Sequence, residues 1–123
     1  MKEAEFIEKC KKVIEKYKMK VDIAELTAVL RTMVDYLKRY GKRLKYIMRP
    51  FVFSKKNEVT VAVAPINGIP HIIVYRVMLP RLIFKREIYY LPVAWLTDKE
   101  VEFTDNEATI EVFVSAFEDP VYL

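Results

Sequence analysis

The hydrophobic residues of the first forty positions repeat every three or four residues, which is the spacing of one face of an α-helix. In residues 3–19 this stripe consists of Phe6, Ile7, Cys10, Val13, Ile14 and Tyr17. A second stripe consists of Ile23, Leu26, Leu30, Met33 and Leu37. Asp22 and Glu25 have the spacing of a helix N-cap pair, and Gly41 suits a left-handed C-terminal cap. We therefore expect residues 1–40 to form a helical hairpin with one apolar side.

After Gly41 the hydrophobic period changes to two, which is the period of a β-strand. Residues 44–53 form the first predicted strand, in which Pro50 indicates an edge position or a bulge. Val59, Val61 and Val63 alternate with smaller residues in the second strand. Asn67 followed by Gly68 predicts a tight hairpin turn, because both residues tolerate positive φ. The return strand, residues 69–79, is apolar on both faces and is therefore expected inside the sheet.

Alternation continues to the end of the chain. Pro80 closes the return strand, residues 81–91 form the next strand, and Pro92 separates a short strand at residues 93–96. Val101 and Phe103 lead into a second alternating run, which predicts a closing hairpin with an acidic outer face; the run consists of Ala108, Ile110, Val112, Val114 and Ala116. The fold class is thus α+β: an N-terminal helical hairpin packed on a mainly antiparallel sheet of about five to six strands. We expect one domain, residues 1–123, with the strands in residues 44–117.

Composition narrows the class of protein. With 53% hydrophobic and 31% charged residues in 123, the chain can build a core, which argues against disorder. No uncharged apolar run of about 18 residues is present, so we expect no membrane span, and the charged N-terminus is unlike a signal peptide. A single cysteine, Cys10, excludes an internal disulfide, and we expect a cytoplasmic protein. The absence of Gln and the presence of only three Asn suggest a thermophilic source.

Groups that could carry catalysis are scarce. The residues that could act as nucleophile or general base are Ser54, Ser115, Cys10 and the single His71. The chain has only two glycines, which excludes a glycine-rich phosphate-binding loop. We expect Cys10 to be core filler and His71 to be packed in a strand, with no cofactor, no small-molecule substrate and no enzymatic activity. A cluster of acidic residues that could bind Mg²⁺ or Ca²⁺ suggests the second alternative function, a metal-dependent hydrolase. The cluster consists of Asp98, Glu100, Glu102, Asp105 and Glu107.

A basic stretch with interleaved aromatic residues begins near the end of the second helix. Its cations are Lys38, Arg39, Lys42, Arg43, Lys45 and Arg49, and its aromatic residues are Tyr40 and Tyr46. Clustered cations bind phosphates, and neighbouring aromatic rings stack on unpaired bases. Cations also stabilise a helix C-terminus, so the same stretch fits an ordinary solvated surface. Nucleic-acid binding through residues 38–49 is the first alternative function.

Large aromatic residues are also predicted on the sheet face that the two helices leave open. They are Phe51, Phe53, Phe113, Phe117 and Tyr75. A contiguous exposed patch of this size costs solubility, so either the sheet curls around these residues or a second copy covers them. We favour a homodimer, in which the four phenylalanines form the dimer or partner interface.

Charge is distributed unevenly along the chain, whose net charge is +4. Residues 1–56 carry +9, residues 57–97 carry +2 and residues 98–123 carry −7. A charge-split surface beside an aromatic face is typical of a protein that covers a partner. Our first expectation is therefore a small non-enzymatic interaction protein, a dimeric binder or inhibitor of a larger macromolecule. By analogy of class, such proteins include accessory proteins encoded by viruses or mobile elements.

Overall fold

The computed structural model describes residues 1–78 and 87–123, and within them three α-helices pack on a six-stranded antiparallel sheet. This architecture confirms the predicted α+β fold with two N-terminal helices. The helices and one face of the sheet share a single core.

The two N-terminal helices form the predicted pair of elements. Helix α1 spans Glu3–Tyr17 and ends at Lys18, whose backbone is left-handed (φ 49°). Helix α2 spans Ile23–Tyr40, and the Asp22 carboxylate caps it by accepting a hydrogen bond from the backbone N–H of Ala24 at 2.9 Å. The buried residues of the two helices are Phe6, Cys10, Val13, Leu26, Leu30, Met33 and Leu37. Helical spacing therefore identified the core-facing stripe of each helix, except for Tyr17, which was predicted in the first stripe and is 51% exposed.

The left-handed cap predicted at Gly41 is wrong. Gly41 has a right-handed backbone (φ −54°), and the chain continues into a short 3-10 helix, Gly41–Arg43. A glycine is needed here for space, because a Cβ on Gly41 would lie only 2.7 Å from the Cβ of Pro70. The end of α2 therefore rests directly on Pro70.

In chain order the strands are β1 (Arg49–Ser54), β2 (Thr60–Ile66), β3 (Ile69–Met78), β4 (Glu87–Leu96), β5 (Val101–Phe103) and β6 (Pro120–Tyr122). Their order across the sheet is β5-β4-β3-β2-β1-β6, and all neighbours are antiparallel. Strand β3 lies inside the sheet, as its apolar residues on both faces predict. The predicted strand end at Pro80 and the predicted strand start at residues 81–86 lie outside the described residues.

Of the predictions made from turn residues and prolines, some are confirmed and others are wrong. The Asn67–Gly68 turn is confirmed, with φ values of 52° and 77° at its two residues. The first strand begins at Arg49 rather than at residue 44, and the β1–β2 register shifts beside Pro50, as expected for a bulge. Pro92 lies within β4 instead of separating two strands, and the β3–β4 register shifts at that point.

The predicted closing hairpin is wrong in its second half, because residues there form helix α3, Glu107–Ser115. The Asn106 side chain caps this helix by accepting from the backbone N–H of Thr109 at 3.0 Å. Ile110, Phe113 and Val114 have the spacing of one helical face and are buried. The sheet is completed instead by the C-terminal strand β6, which pairs with β1.

The main core lies between the three helices and the sheet, and it contains three of the four predicted interface residues. Phe51, Phe113 and Phe117 are 7%, 0% and 3% exposed, so their predicted place on the open sheet face is wrong. The reason for Phe113 and Phe117 is the helical conformation of their segment. Phe113 packs against Phe6 with ring centroids 5.3 Å apart, and Phe117 packs against Phe113 at the same distance.

Candidate functional site

The exposed cations at the end of α2 form a surface that we call the basic corner, defined by Lys38, Lys42, Arg43, Lys45, Tyr40 and Tyr46. The last turn of α2, the 3-10 helix and the following loop position these side chains. All six are exposed, and the buried Gly41 between them rests on Pro70. The contact between Gly41 and Pro70 therefore fixes where the basic corner stands relative to the sheet.

Acidic residues are scarce in the segment of the sequence that forms this surface. The sequence has no Asp or Glu between Asp35 and Glu58. Within the described part of the chain, no carboxylate lies within ion-pair distance of the four cations of the basic corner. The predicted contact residue Arg39 differs from them, because its Nε atom lies 3.1 Å from Oδ1 of Asp35. The basic corner thus carries four positive charges without local compensation.

Arg49, another predicted contact residue, is already engaged inside the protein. Its guanidinium group lies 4.1 Å from the ring centroid of Phe51 and 5.3 Å from that of Tyr36. Its Nη1 atom also donates a hydrogen bond to the carbonyl of Pro50 at 3.4 Å. These contacts make Arg49 a half-buried residue that joins β1 to α2, since its guanidinium group lies within cation–π distance of both rings.

Exposed aromatic side chains lie between the cations of the basic corner in the sequence. Tyr46 is 95% exposed, and Tyr40 is exposed while its ring packs 5.1 Å from that of Tyr36. Ile47, which the sequence analysis did not single out, is also exposed beside Tyr46. A tyrosine with nearly its whole ring in solvent is available for stacking on a planar ligand.

The acidic C-terminal segment folds back on the basic N-terminal half. Glu107 lies 3.9 Å from Lys16, Glu118 lies 3.1 Å from Lys56, and the Met1 amino group pairs with Glu102. Part of the charge gradient along the sequence is therefore compensated in space. These three C-terminal acids pair with Met1, Lys16 and Lys56, none of which belongs to the basic corner.

The other predicted chemical groups are not brought together. In residues 1–78 and 87–123, no group of three His, Cys, Asp or Glu side chains could hold a metal ion. Cys10 is buried in α1, and desolvation raises the pKa of its thiol to about 12. The His71 Nδ1 atom lies 2.7 Å from the carbonyl oxygen of Ile69, a contact in which Nδ1 donates.

The open face of the sheet retains a smaller apolar surface than predicted. Ala62, Ala64 and Ile73 form a buried cluster on this face, separate from the main core. Phe53 is half-buried there, in a row with Thr60, Tyr75 and Tyr90 across four strands. Of the four predicted interface residues, Phe53 alone therefore lies on the face that was expected to meet a partner.

Comparison with known proteins adds no functional assignment. No protein-family model, curated protein or solved structure matches this chain. In the described parts, no helix is long and apolar enough to cross a membrane.

Proposed function

We propose that this protein is a non-enzymatic binding protein that holds single-stranded nucleic acid on the basic corner. The observation that carries the proposal is the coincidence of four uncompensated cations with a tyrosine that is 95% exposed. Tyr17, which is 51% exposed, also lies beside a lysine, but that lysine, Lys16, pairs with Glu107 and the Tyr17 hydroxyl donates to Glu111. The engaged state of Cys10 and His71 supports a role without catalysis.

The cations and the tyrosines of the basic corner each have a role in this proposal. The cations neutralise phosphates and release counterions, which supplies affinity without sequence preference. The exposed rings of Tyr46 and Tyr40 stack on bases, a contact worth about 1–3 kcal/mol per base. Bases are available for stacking only where they are unpaired, so the surface fits single strands better than a duplex.

A salt titration tests the electrostatic part. Four phosphate contacts on a single strand predict that log K falls with log salt with a slope of about −3. Replacing Lys42, Arg43 and Lys45 with alanine leaves one of the four cations, and we expect the slope to fall to about −1. Fluorescence anisotropy with a labelled oligonucleotide of mixed sequence measures both slopes.

The matched control removes the same charge elsewhere. Lys9, Lys12 and Lys20 are exposed on or just after α1, and their replacement with alanine changes the net charge equally. We expect this control to bind with nearly the wild-type slope. Equal weakening in both triple variants would mean that net charge alone attracts the nucleic acid, and undetectable binding at low salt would refute the proposal.

A second pair of variants tests stacking. Tyr46→Phe keeps an aromatic ring, whereas Tyr46→Leu keeps an apolar side chain without a π-face. We expect the phenylalanine variant to bind like wild type and the leucine variant to bind about ten-fold more weakly, which corresponds to about 1.4 kcal/mol. Equal affinities of the two variants would exclude a stacking role for Tyr46.

Binding of a protein partner is the second candidate function. The row of Phe53, Tyr75 and Tyr90 on the open face favours it, because aromatic residues are enriched in protein interfaces. Capture from a lysate of the source organism, with and without nuclease, separates the candidates. A partner that is lost after nuclease treatment supports nucleic acid, whereas a protein that survives it and is lost with Tyr75→Lys supports the open face.

The cellular context is proposed on sequence grounds. We expect a cytoplasmic protein from a thermophile, in the class of accessory proteins that viruses and mobile elements encode. The scarcity of Gln and Asn supports the thermophilic source. A melting temperature within the range of about 45–65 °C that is usual for mesophilic domains would contradict it.

A further inference from the structure

The loop that carries the exposed Tyr46 passes from one side of the sheet to the other. At its start, Leu44 packs against the main core between the helices and the sheet. At its end, Met48 packs against the separate apolar cluster on the open face. Residues 45–47 therefore pass around the border of the sheet, and the basic corner adjoins the open face.

Two aromatic rings lie on the open face beside this cluster. His71 on β3 is directly opposite Ala64 of the cluster on one side and Trp95 of β4 on the other, so the three side chains share one face. The ring centroids of His71 and Trp95 are 6.1 Å apart, and the ring planes are inclined by 37°. Both side chains are half-buried, so each keeps part of its ring in solvent.

The surroundings of the His71–Trp95 pair favour a base over a phosphate group. The imidazole is held in place by the hydrogen bond from Nδ1 to the carbonyl of Ile69 at 2.7 Å. On β5, the residue opposite Trp95 is Glu102, whose carboxylate pairs with the amino group of Met1. Since an acidic residue does not attract phosphates, the pair offers ring surface for stacking, whereas the basic corner offers the positive charge.

We propose that a single strand held at the basic corner continues onto the open face, where one of its bases stacks on the His71–Trp95 pair. This inference rests on the proposed nucleic-acid function and gives it a second stacking position. Aromatic rings on the face of a β-sheet are a common platform for unpaired bases. Stacking there tolerates any base, which agrees with phosphate contacts that carry no sequence preference.

The length of the strand determines whether it reaches both positions. From Ala64 to Trp95 the path crosses two strand spacings, about 10 Å, and Tyr46 lies beyond Met48 at the far side of the same cluster. Bases in a stacked strand are about 3.4 Å apart, so the two steps of a trinucleotide span about 7 Å. A trinucleotide at the basic corner therefore does not reach Trp95, whereas a strand of about twelve nucleotides does.

The fluorescence of Trp95, the single tryptophan of the chain, tests the inference without any substitution. We expect an unlabelled oligothymidine of about twelve nucleotides, within the usual site size of single-strand binding folds, to quench the emission. The dissociation constant from quenching should equal the one from anisotropy, and a trinucleotide should leave the emission unchanged. Equal quenching by both lengths would mean that bases bind at Trp95 without the corner, which overturns the inference.

Two further outcomes separate this inference from the proposed function. Binding of the long oligonucleotide with the expected salt dependence but without quenching of Trp95 overturns the second stacking position and leaves binding at the basic corner intact. Absence of binding at low salt overturns both.

Variants of Trp95 separate stacking from phosphate binding. Trp95→Phe keeps a ring and should bind the long oligonucleotide like wild type, whereas Trp95→Leu should bind about ten-fold more weakly with an unchanged salt slope. Tyr90→Leu is the matched control. Tyr90 is exposed on the same face of the same strand, but it lies opposite Tyr75, four residues or about 13 Å along β3 from His71.

We expect the control Tyr90→Leu to bind like wild type. Equal affinities of Trp95→Phe and Trp95→Leu, or equal weakening by Tyr90→Leu and Trp95→Leu, overturn the inference.

Discussion

Replacement of Gly41 by alanine probes how the basic corner is held against the sheet. The right-handed backbone at Gly41 accepts alanine without strain, and helix propensity alone would make the variant up to about 1 kcal/mol more stable. The new Cβ would, however, lie 2.7 Å and 2.8 Å from two carbon atoms of the Pro70 ring. Carbon atoms pack at about 3.5–4.0 Å, so α2 and β3 must separate by roughly 1 Å. Overpacking of this kind costs about 1–3 kcal/mol, and we expect a net loss of about 1–2 kcal/mol.

Urea unfolding followed by circular dichroism measures this loss as a lower midpoint with an unchanged slope. Pro70→Gly removes the opposing side chain, so a double-mutant cycle isolates the contact between residues 41 and 70. In the Pro70→Gly background we expect Gly41→Ala to cost less than in wild type. A Gly41→Ala variant that is as stable as wild type, or more stable, would refute the claim that close packing on Pro70 positions the corner.

Three further predictions concern the fold around the site. Ser54→Ala removes a buried hydroxyl that donates to the carbonyl of Glu118 at 2.5 Å. We expect the free energy of unfolding, measured in urea, to fall by about 1–3 kcal/mol. A loss below about 0.5 kcal/mol would show that water replaces the hydrogen bond. Asn106→Ala removes the N-cap of α3 and should lower the free energy of unfolding by about 1 kcal/mol in the same assay. We expect Asn106→Asp, which can still cap the helix, to be nearly as stable as wild type. Equal losses in both variants would argue against capping. Burial raises the pKa of Cys10 from 9.0 to about 12, which favours the protonated thiol in the folded state, so its contribution to stability is complete below pH 9 and is lost as pH rises from 9 towards 12. We expect wild type to lose up to about 1.4 kcal/mol per pH unit more than Cys10→Ala in that range, and parallel pH curves would contradict the burial of the thiol.

The elements that could be predicted from the sequence are those with redundant signals. Helix α2 has an apolar stripe over its whole length and a capping aspartate, Asp22. The β2–β3 hairpin has an alternating first strand, a second strand that is apolar on both faces, and the Asn67–Gly68 turn between them. In each case local propensity, period and turn chemistry agree, which is the condition under which short-range patterns specify structure.

Helix α3 was missed because two periods coincide in a short segment. Ile110, Val112 and Val114 alternate like a strand, while Ile110, Phe113 and Val114 also form a helical face. Nine residues are too few for the period to decide, and β-branched residues favour the strand interpretation. The signal that could have found the helix is Asn106, a preferred N-cap residue directly before it.

The sequence shows which cations and tyrosines could form the site, but it does not show which of them remain free to bind a ligand. The cluster of cations and tyrosines in residues 38–49 can be read directly. The stacking of Arg49 on Phe51 and the pairing of C-terminal acids with Lys16 and Lys56 depend on tertiary contacts between distant segments. The same holds for Gly41, whose role follows from a neighbour 29 positions away.

The most direct measurement of the central claim is a nuclear magnetic resonance titration of ¹⁵N-labelled protein with a short single-stranded oligonucleotide. We predict that amide shifts are concentrated in residues 38–47, and that they shrink as salt is added. Shifts concentrated on the open sheet face, or on the lysines of α1, would contradict binding at the basic corner.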